Sequence, residues 1–226
     1  MLAILLATSL IPVLLMKSKA SPGPTRNIID REAFKDGPYL LFGTGLFFGF
    51  TGFFIVLNYI QLFAIENSMP TSIANNVLVI INASSLVGRL VGGFYADRIG
   101  SIHVQDLVAF IAAILTYALL AVHTVAGLVV YSVLFGFTAG TFTGLPATGV
   151  VSLSTDKSKI GTRLGMTLAY LSVGVLVGNP IAGAILGRNG NWTGLIAFCA
   201  SLFVISGGTI VASRIMKVGW RLDRKI

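Results

Sequence analysis

The sequence predicts an all-α fold, a polytopic membrane helix bundle, on three observations. Of the 226 residues, 55% are hydrophobic and only 11% are charged, whereas soluble domains average about 25% charged residues. Several apolar stretches reach the roughly 20 residues that a helix needs to cross the hydrocarbon core of a bilayer. These stretches do not alternate apolar with polar residues, as the strands of a membrane barrel do.

An N-terminal apolar run over residues 1–16 is shorter than a full span. A signal peptide carries cations before its apolar region, whereas here Lys17 and Lys19 follow it. The run is therefore predicted to be a remnant or shortened span. Residues 17–38 are mostly polar, contain prolines, and are predicted to form a cytoplasmic linker.

The six longer apolar runs predict six spanning helices, so residues 39–226 are expected to form one six-helix bundle. Pro146 in the fourth run and Pro180 in the fifth are expected to kink or break their helices. Glycines recur at four-residue spacing in these two runs, which favours close helix packing. The runs cover residues 39–65, 72–95, 107–122, 125–152, 164–186 and 194–216.

The cations predict the orientation of the bundle. When the runs are crossed in turn, 15 of the 16 lysine and arginine residues fall on one side and only Arg188 falls on the other. Because cytoplasmic loops carry an excess of lysine and arginine, the C-terminus is predicted to be cytoplasmic and the N-terminus to lie outside. The plasma membrane is the expected location.

Composition limits the chemistry. The single cysteine, Cys199, excludes an intramolecular disulfide, and two histidines, His103 and His123, are too few for a metal site, so no metal or other cofactor is expected. The sequence shows no nucleophile–base constellation, and an enzyme is not predicted. The net charge of +8 lies mainly in the connections between runs, which indicates contact with a lipid bilayer rather than with nucleic acid.

The stretch "GRLVGGFYADRIG" at residues 88–100 resembles the G-x-x-x-D-R-x-G loop signature of the major facilitator superfamily. The wider pattern resembles its fungal monocarboxylate-transporter-like branch. The residues that carry this resemblance lie, in order along the chain, at 33–42, 82–100, 136–146, 158–166 and 178–186.

The resemblance implies the C-terminal half of a twelve-span major facilitator fold, preceded by the last part of the sixth span. It also implies alternating-access transport of small organic anions, monocarboxylates or related metabolites, with an absent N-terminal half or a second copy as partner. The alternative is a truncated, non-transporting membrane protein, or a subunit that requires an N-terminal half. A seven-span receptor has the same topology but would carry an outer cysteine pair and a D-R-Y sequence, which this chain lacks.

Arg89 is the foremost candidate for a substrate contact. An arginine within a membrane helix costs about 2.5–3.5 kcal/mol on insertion scales, so it needs a partner or a watery cavity. Its guanidinium could hold a carboxylate in two-point geometry, or it could serve the fold by reaching carbonyls at helix ends. In proton-coupled relatives that the resemblance implies, an aspartate lies one turn before this arginine. Here Ser85 takes that position, so proton coupling is in doubt.

Other polar residues within the apolar runs have two open interpretations. Asn58, Tyr59, Gln61 and Asn82 either face a central cavity or hydrogen-bond neighbouring helices, which is worth roughly 1 kcal/mol each. At the end of the second run, Asp97, Arg98 and Gly100 predict a gating turn, with an ordinary solvated loop as the alternative.

Overall fold

The structure is a computed structural model, and it describes residues 29–154, 156–187 and 190–219. All regular elements in these ranges are helical. The helices are α1 (Gly37–Glu66), α2 (Thr71–Ile99), α3 (Ser101–Ala118), α4 (Val125–Gly144), α5 (Pro146–Leu153), α6 (Ile160–Leu186) and α7 (Trp192–Val218). Short 3-10 turns cover Ala33–Lys35, Leu119–Ala121 and Lys157–Lys159. The predicted shortened span at residues 1–16 lies outside the described ranges.

Six helical segments of the described chain are long and apolar enough to cross a membrane, which confirms the predicted helical membrane bundle. Several helix boundaries differ from the predicted runs, and two of these differences bear on the site. The third span begins at Ser101 rather than near residue 107, because its first turns carry polar side chains that find partners inside the bundle. The fourth span is interrupted at Leu145, immediately before Pro146, as expected from the missing proline N–H.

The helices pack as an uneven bundle. α2 packs mainly on α4, α1 packs on α6 and α7, and α3 packs on α7. In α2 and α6, only 22% of the most apolar stretch is buried, against 50–56% in the other four spans. These two helices therefore hold the bundle with one face and leave the other uncovered.

Glycines bring α2 and α4 into backbone contact. A Cβ atom added at Gly140 would lie 2.0 Å from the carbonyl oxygen of Ser85, and one added at Gly88 would lie 2.0 Å from that of Phe137. Thr141 Oγ1 donates a hydrogen bond of 2.8 Å to the Gly88 carbonyl across the same seam. The packing role predicted for the fourth-run glycines is confirmed at Gly140, and Gly88 contributes to the same close contact between α2 and α4.

The connection between α2 and α3 is a single glycine. Gly100 has φ +101°, a conformation that favours glycine, and α3 starts at the next residue. Asp97 and Arg98 consequently lie on the last helical turn of α2 rather than in a loop. The turn directs α3 straight back along the bundle.

Candidate substrate cleft

One end of the bundle collects most of its charged side chains. Hydrogen bonds between helices define this end: Ser213 Oγ donates to the Pro38 carbonyl at 2.5 Å, and Lys217 Nζ donates to the Leu153 carbonyl at 3.2 Å. We call it the basic end, and Gly100 also lies there. Among the described residues, Glu66 is the only one that places a carboxylate at the opposite end.

A cleft of about 360 Å³ opens at the basic end, between the C-terminal half of α2 and the junction of α4 with α5. One wall is helix α2 and the turn that follows it. The other wall is the interrupted fourth span, where the helix break leaves space beside α2. The lining residues are Arg89, Gly93, Ala96, Asp97, Gly100, Ser101, Gly144, Leu145 and Thr148.

Arg89 enters this cleft without a salt-bridge partner in the part of the chain that the structure describes. The side chain is exposed, and its Cγ lies 3.5 Å from where a Cβ at Gly144 would be, so the stem passes beside the end of α4. Within the described ranges, no carboxylate forms a salt bridge with its guanidinium. A cation in the interior of a membrane-capable helix requires a counter-charge or water, and the cleft is where either can reach it.

The three residues of the predicted gating turn separate in the structure. Asp97 and Gly100 line the cleft with Arg89. The Arg98 guanidinium instead lies 4.2 Å from the centre of the Phe94 ring, in a cation–π contact one turn back along α2. The gating role of this turn stays a prediction.

The remaining predicted site residues lie away from the cleft lining. Asn58 Nδ2 donates to Asn179 Oδ1 at 2.9 Å, and Tyr59 Oη donates to the Asn179 carbonyl at 3.3 Å, so both join α1 to α6. Gln61 Nε2 donates to Asn75 Oδ1 of α2 at 3.0 Å. These bonds link α1 to the two least buried helices on either side of it.

Asn82 and Ser85 bond within their own helix. Asn82 Nδ2 donates to the Leu78 carbonyl at 2.9 Å, and Ser85 Oγ donates to the Asn82 carbonyl at 2.8 Å. Asn82 is nevertheless exposed. The structure thus groups Arg89, Asp97 and Gly100 in one cleft and places the other predicted contacts elsewhere.

A second arginine at the basic end is fully engaged. Arg163, at the start of α6, donates from Nε to Asp30 Oδ2 at 3.1 Å and from Nη1 to Asp36 Oδ2 at 2.9 Å. Lys159 adds salt bridges to Asp30 and Glu32. This cluster ties the segment before α1 to the start of α6, and we call it the Arg163 clamp.

Tyr39 completes the Arg163 clamp from α1. Its hydroxyl donates to the Arg163 carbonyl at 2.8 Å and lies 2.9 Å from Thr167 Oγ1. Burial alone would raise the pKa of Asp30, but hydrogen bonds from Arg163 and from the Glu32 amide, with the charge of Lys159, outweigh it and lower the pKa below its usual value. Asp30 is therefore held as a carboxylate.

A third arginine is also matched with a carboxylate. Arg214 of α7 places Nη1 3.1 Å from His103 Nδ1 and 3.7 Å from Asp106 Oδ2, both on α3. The Asp106 side chain is buried. The first turns of α3 are therefore polar because they face this pairing.

The chain is similar in sequence to known transporters. No protein-family model matches the chain. The MFS-type transporter dbaD of Emericella nidulans is 39% identical over 207 residues, covering 90% of this chain and 47% of dbaD. The MFS-type transporter pynF of Aspergillus niger is 35% identical over 202 residues, covering 88% of this chain and 46% of pynF. The aspyridones efflux protein apdF of Emericella nidulans is 34% identical over 186 residues, covering 82% of this chain and 38% of apdF.

The chain is similar to about half of an MFS-type transporter. It spans about half the length of the curated relatives it matches. Six membrane-capable helices in one bundle agree with half of such a fold, and relatives named as transporters agree with a protein that is not an enzyme.

Of the nine residues that line the cleft, the sequence predicted three as site residues: Arg89, Asp97 and Gly100. Ser101 and Thr148 also line it and do not stand out in the sequence, and Gly144 was predicted only as one of the packing glycines of the fourth run. Pro146 was the available signal, because a helix break beside a charged helix creates room for a ligand. The partner helix could not be named without knowing that α2 packs on α4.

Proposed function

We propose that this chain is one half of an MFS-type carrier that moves small organic anions, such as monocarboxylates or related metabolites, by alternating access. Arg89 holds the anionic group of the solute in the cleft. The observation that carries the proposal is the charge of Arg89, which lines the cleft without a salt bridge among the described residues. The resemblance at residues 88–100 and the transporter relatives support it.

The chemistry of the cleft suits a small anion. A guanidinium presents a planar fork that matches the two oxygens of a carboxylate. Asp97 lines the same cleft and would repel a second negative charge, which favours a solute with one. Ala96 and Leu145 provide apolar wall for the rest of the molecule. We assign closure of the cleft around the solute to the end of α2 and the glycine that follows it, at Asp97, Arg98 and Gly100.

A second half is needed to complete the carrier. The uncovered faces of α2 and α6 carry exposed large apolar residues, including Leu90 at 70% and Leu176 at 75% exposure. In carriers of this kind the solute site lies between two repeats that rock against each other. We propose that an N-terminal half covers these two faces, with a second copy of this chain as the lesser candidate. We expect no transport by the 226 residues alone.

We further propose that the basic end is cytoplasmic, in the plasma membrane. The positive-inside rule supports this orientation, since the described cations lie at or toward that end. Impermeant thiol labelling in intact cells tests it: Gly190→Cys should react and Ser158→Cys should be protected. The reverse pattern would overturn the orientation.

One relative supports an outward direction of transport. The name of apdF records efflux of aspyridones, so outward transport of a metabolite is the second candidate function. Proton coupling is not proposed, because Ser85 offers Arg89 no carboxylate one turn away.

The test is counterflow in proteoliposomes, which does not depend on the direction of transport. The chain is co-expressed with the N-terminal half of dbaD and assayed with labelled benzoate, lactate and pyruvate. Arg89→Gln should reduce counterflow at least about tenfold. The counterflow of Arg89→Lys should lie between those of the parent and Arg89→Gln, because lysine keeps the charge but loses the planar fork.

Lys35→Gln is the matched control, since Lys35 is an exposed cation outside the cleft; its counterflow should stay at the parent level. Equal counterflow in Arg89→Gln and the parent would refute the anchor. Counterflow by the chain without a second half would refute the expectation that it needs one.

A further inference from the structure

The break in the fourth span leaves one carbonyl without its helical donor. In a continuous α-helix the Phe142 carbonyl would accept from the amide of residue 146, but residue 146 is proline and has no N–H. Phe142 is almost fully buried, at 1% exposure, so water cannot supply the missing donor freely. A buried, unsatisfied carbonyl is costly.

A side chain from another helix supplies that donor. Gln105 of α3 is fully buried, and its Nε2 donates a 2.9 Å hydrogen bond to the Phe142 carbonyl. Because a carbonyl can only accept, the amide must direct its NH₂ group to it. Its Oε1 is buried and lacks a partner among the described residues, so burial of this glutamine is not explained by satisfying its own polar atoms.

We infer that Gln105 is a positioning residue for the Arg89 cleft, because it replaces the hydrogen bond that Pro146 removes and so holds the α4–α5 break in place. The break residues Gly144, Leu145 and Thr148 form the wall opposite Arg89. Only the last step, that the cleft takes the solute, rests on the proposed function.

Packing around the break shows what Gln105 preserves. Leu145 sits at φ −100° and ψ −9°, between the helical and extended regions. Beyond it, α5 lies close to α1: a Cβ at Gly149 would be 2.3 Å from the Phe42 ring. A shift of the break would therefore move Thr148 relative to Arg89, which changes the width of the cleft.

A double-mutant cycle tests this inference, because Pro146→Ala restores the missing N–H. The full chain, in membranes with the dbaD half, carries Thr148→Cys in the cleft and is labelled with a methanethiosulfonate reagent. Gln105→Leu should change the labelling rate at least about threefold, while in the Pro146→Ala background the same change should have little effect. Equal effects of Gln105→Leu in both backgrounds would overturn the inference.

Ser132→Ala is the matched control, since it removes a buried side-chain hydrogen bond to a carbonyl of the same helix, away from the break. Its labelling rate should match the parent. If Gln105→Leu yields no folded protein, recovery on adding Pro146→Ala supports the inference, and failure to recover overturns it.

Transport kinetics separate this inference from the proposed function. With benzoate as the probe, Gln105→Leu should raise the KM of counterflow about threefold and leave the maximal rate per molecule largely unchanged, and Pro146→Ala should restore the KM. A loss of maximal rate at unchanged KM would contradict the positioning role. If the parent itself moves no anion, the proposed function fails, while the labelling cycle still decides the role of Gln105.

Discussion

Arg89 and Arg163 occupy comparable helices and have opposite surroundings. They lie on α2 and α6, the two least buried spans. Arg163 is held by Asp30 and Asp36, and its side chain is only 10% exposed. Arg89 is exposed, lines a cleft, and forms no salt bridge within the part of the chain that the structure describes.

The difference teaches how one helix bundle can use the same residue type for two purposes. The charge of Arg163 is neutralised inside the fold, where it joins the segment before α1 to α6. Such a charge serves stability and is costly to orphan. Among the described residues the charge of Arg89 has no such partner, so its removal should affect binding of an anion and spare the fold. The predictions below test this division.

The largest effect is expected at the Arg163 clamp. Arg163→Gln removes the guanidinium donor from both Asp30 and Asp36, which should cost about 2 kcal/mol and lower the apparent melting temperature in detergent by about 4–8 °C. The melting temperature of Arg163→Lys should lie between those of the parent and Arg163→Gln, because an ammonium keeps the charge but lacks the fork that reaches both carboxylates. Thermal unfolding of the purified chain measures this.

Two controls sharpen that experiment. Arg31→Gln removes an exposed arginine next to Asp30 and Glu32 of the Arg163 clamp. Arg89→Gln removes the arginine that forms no salt bridge among the described residues. Both should melt within about 1 °C of the parent, since surface substitutions away from partners change stability little. A melting temperature of Arg89→Gln as low as that of Arg163→Gln would erase the distinction between the two arginines.

A smaller effect is expected when Arg89 is given a partner. Ser85 lies one helical turn before Arg89 on the same face, so Ser85→Asp should bring a carboxylate within reach of the guanidinium. The new carboxylate competes with the solute, and the KM of anion counterflow should rise about tenfold at neutral pH, equivalent to about 1.4 kcal/mol. Ser85→Asn, similar in size and uncharged, is the control and should stay near the parent.

Protonation should reverse that competition. Acidification neutralises the added carboxyl group and frees the guanidinium, so counterflow in Ser85→Asp should increase with a proton gradient more steeply than in the parent. An unchanged KM in Ser85→Asp would show that Arg89 does not hold the anion.

The spans could be predicted from sequence because solvent matching is local: about 20 apolar residues suffice to identify a spanning helix. The start of α3 could not, because His103, Gln105 and Asp106 belong in the bundle only through distant partners. Asp106 faces Arg214, and Gln105 bonds the Phe142 carbonyl. Hydropathy alone therefore misses the part of a helix whose polar residues have tertiary partners.

The candidate site divides in the same way. The unusual position of Arg89 is visible in the sequence, since a charge within an apolar run needs an explanation. The engagement of Arg163 is not visible, because Asp30 and Asp36 precede it by more than 120 residues. Sequence reasoning identified cations by position and could not tell which of them are matched by carboxylates.

The smallest expected effect concerns pH and the Arg163 clamp. Because the pKa of Asp30 is lower in the folded chain than its usual value near 3.8, its contribution to stability is fully present at neutral pH and is lost as pH falls through the folded pKa. The difference in melting temperature between the parent and Asp30→Asn should therefore be constant from pH 7 to about pH 5 and shrink below about pH 4. In an Arg163→Gln background the same difference should be smaller at every pH, because the strongest donor to Asp30 is gone. A difference between parent and Asp30→Asn that grows as pH falls would mean that Asp30 is not stabilised as a carboxylate, and that the two arginines differ in exposure but not in the use of their charge.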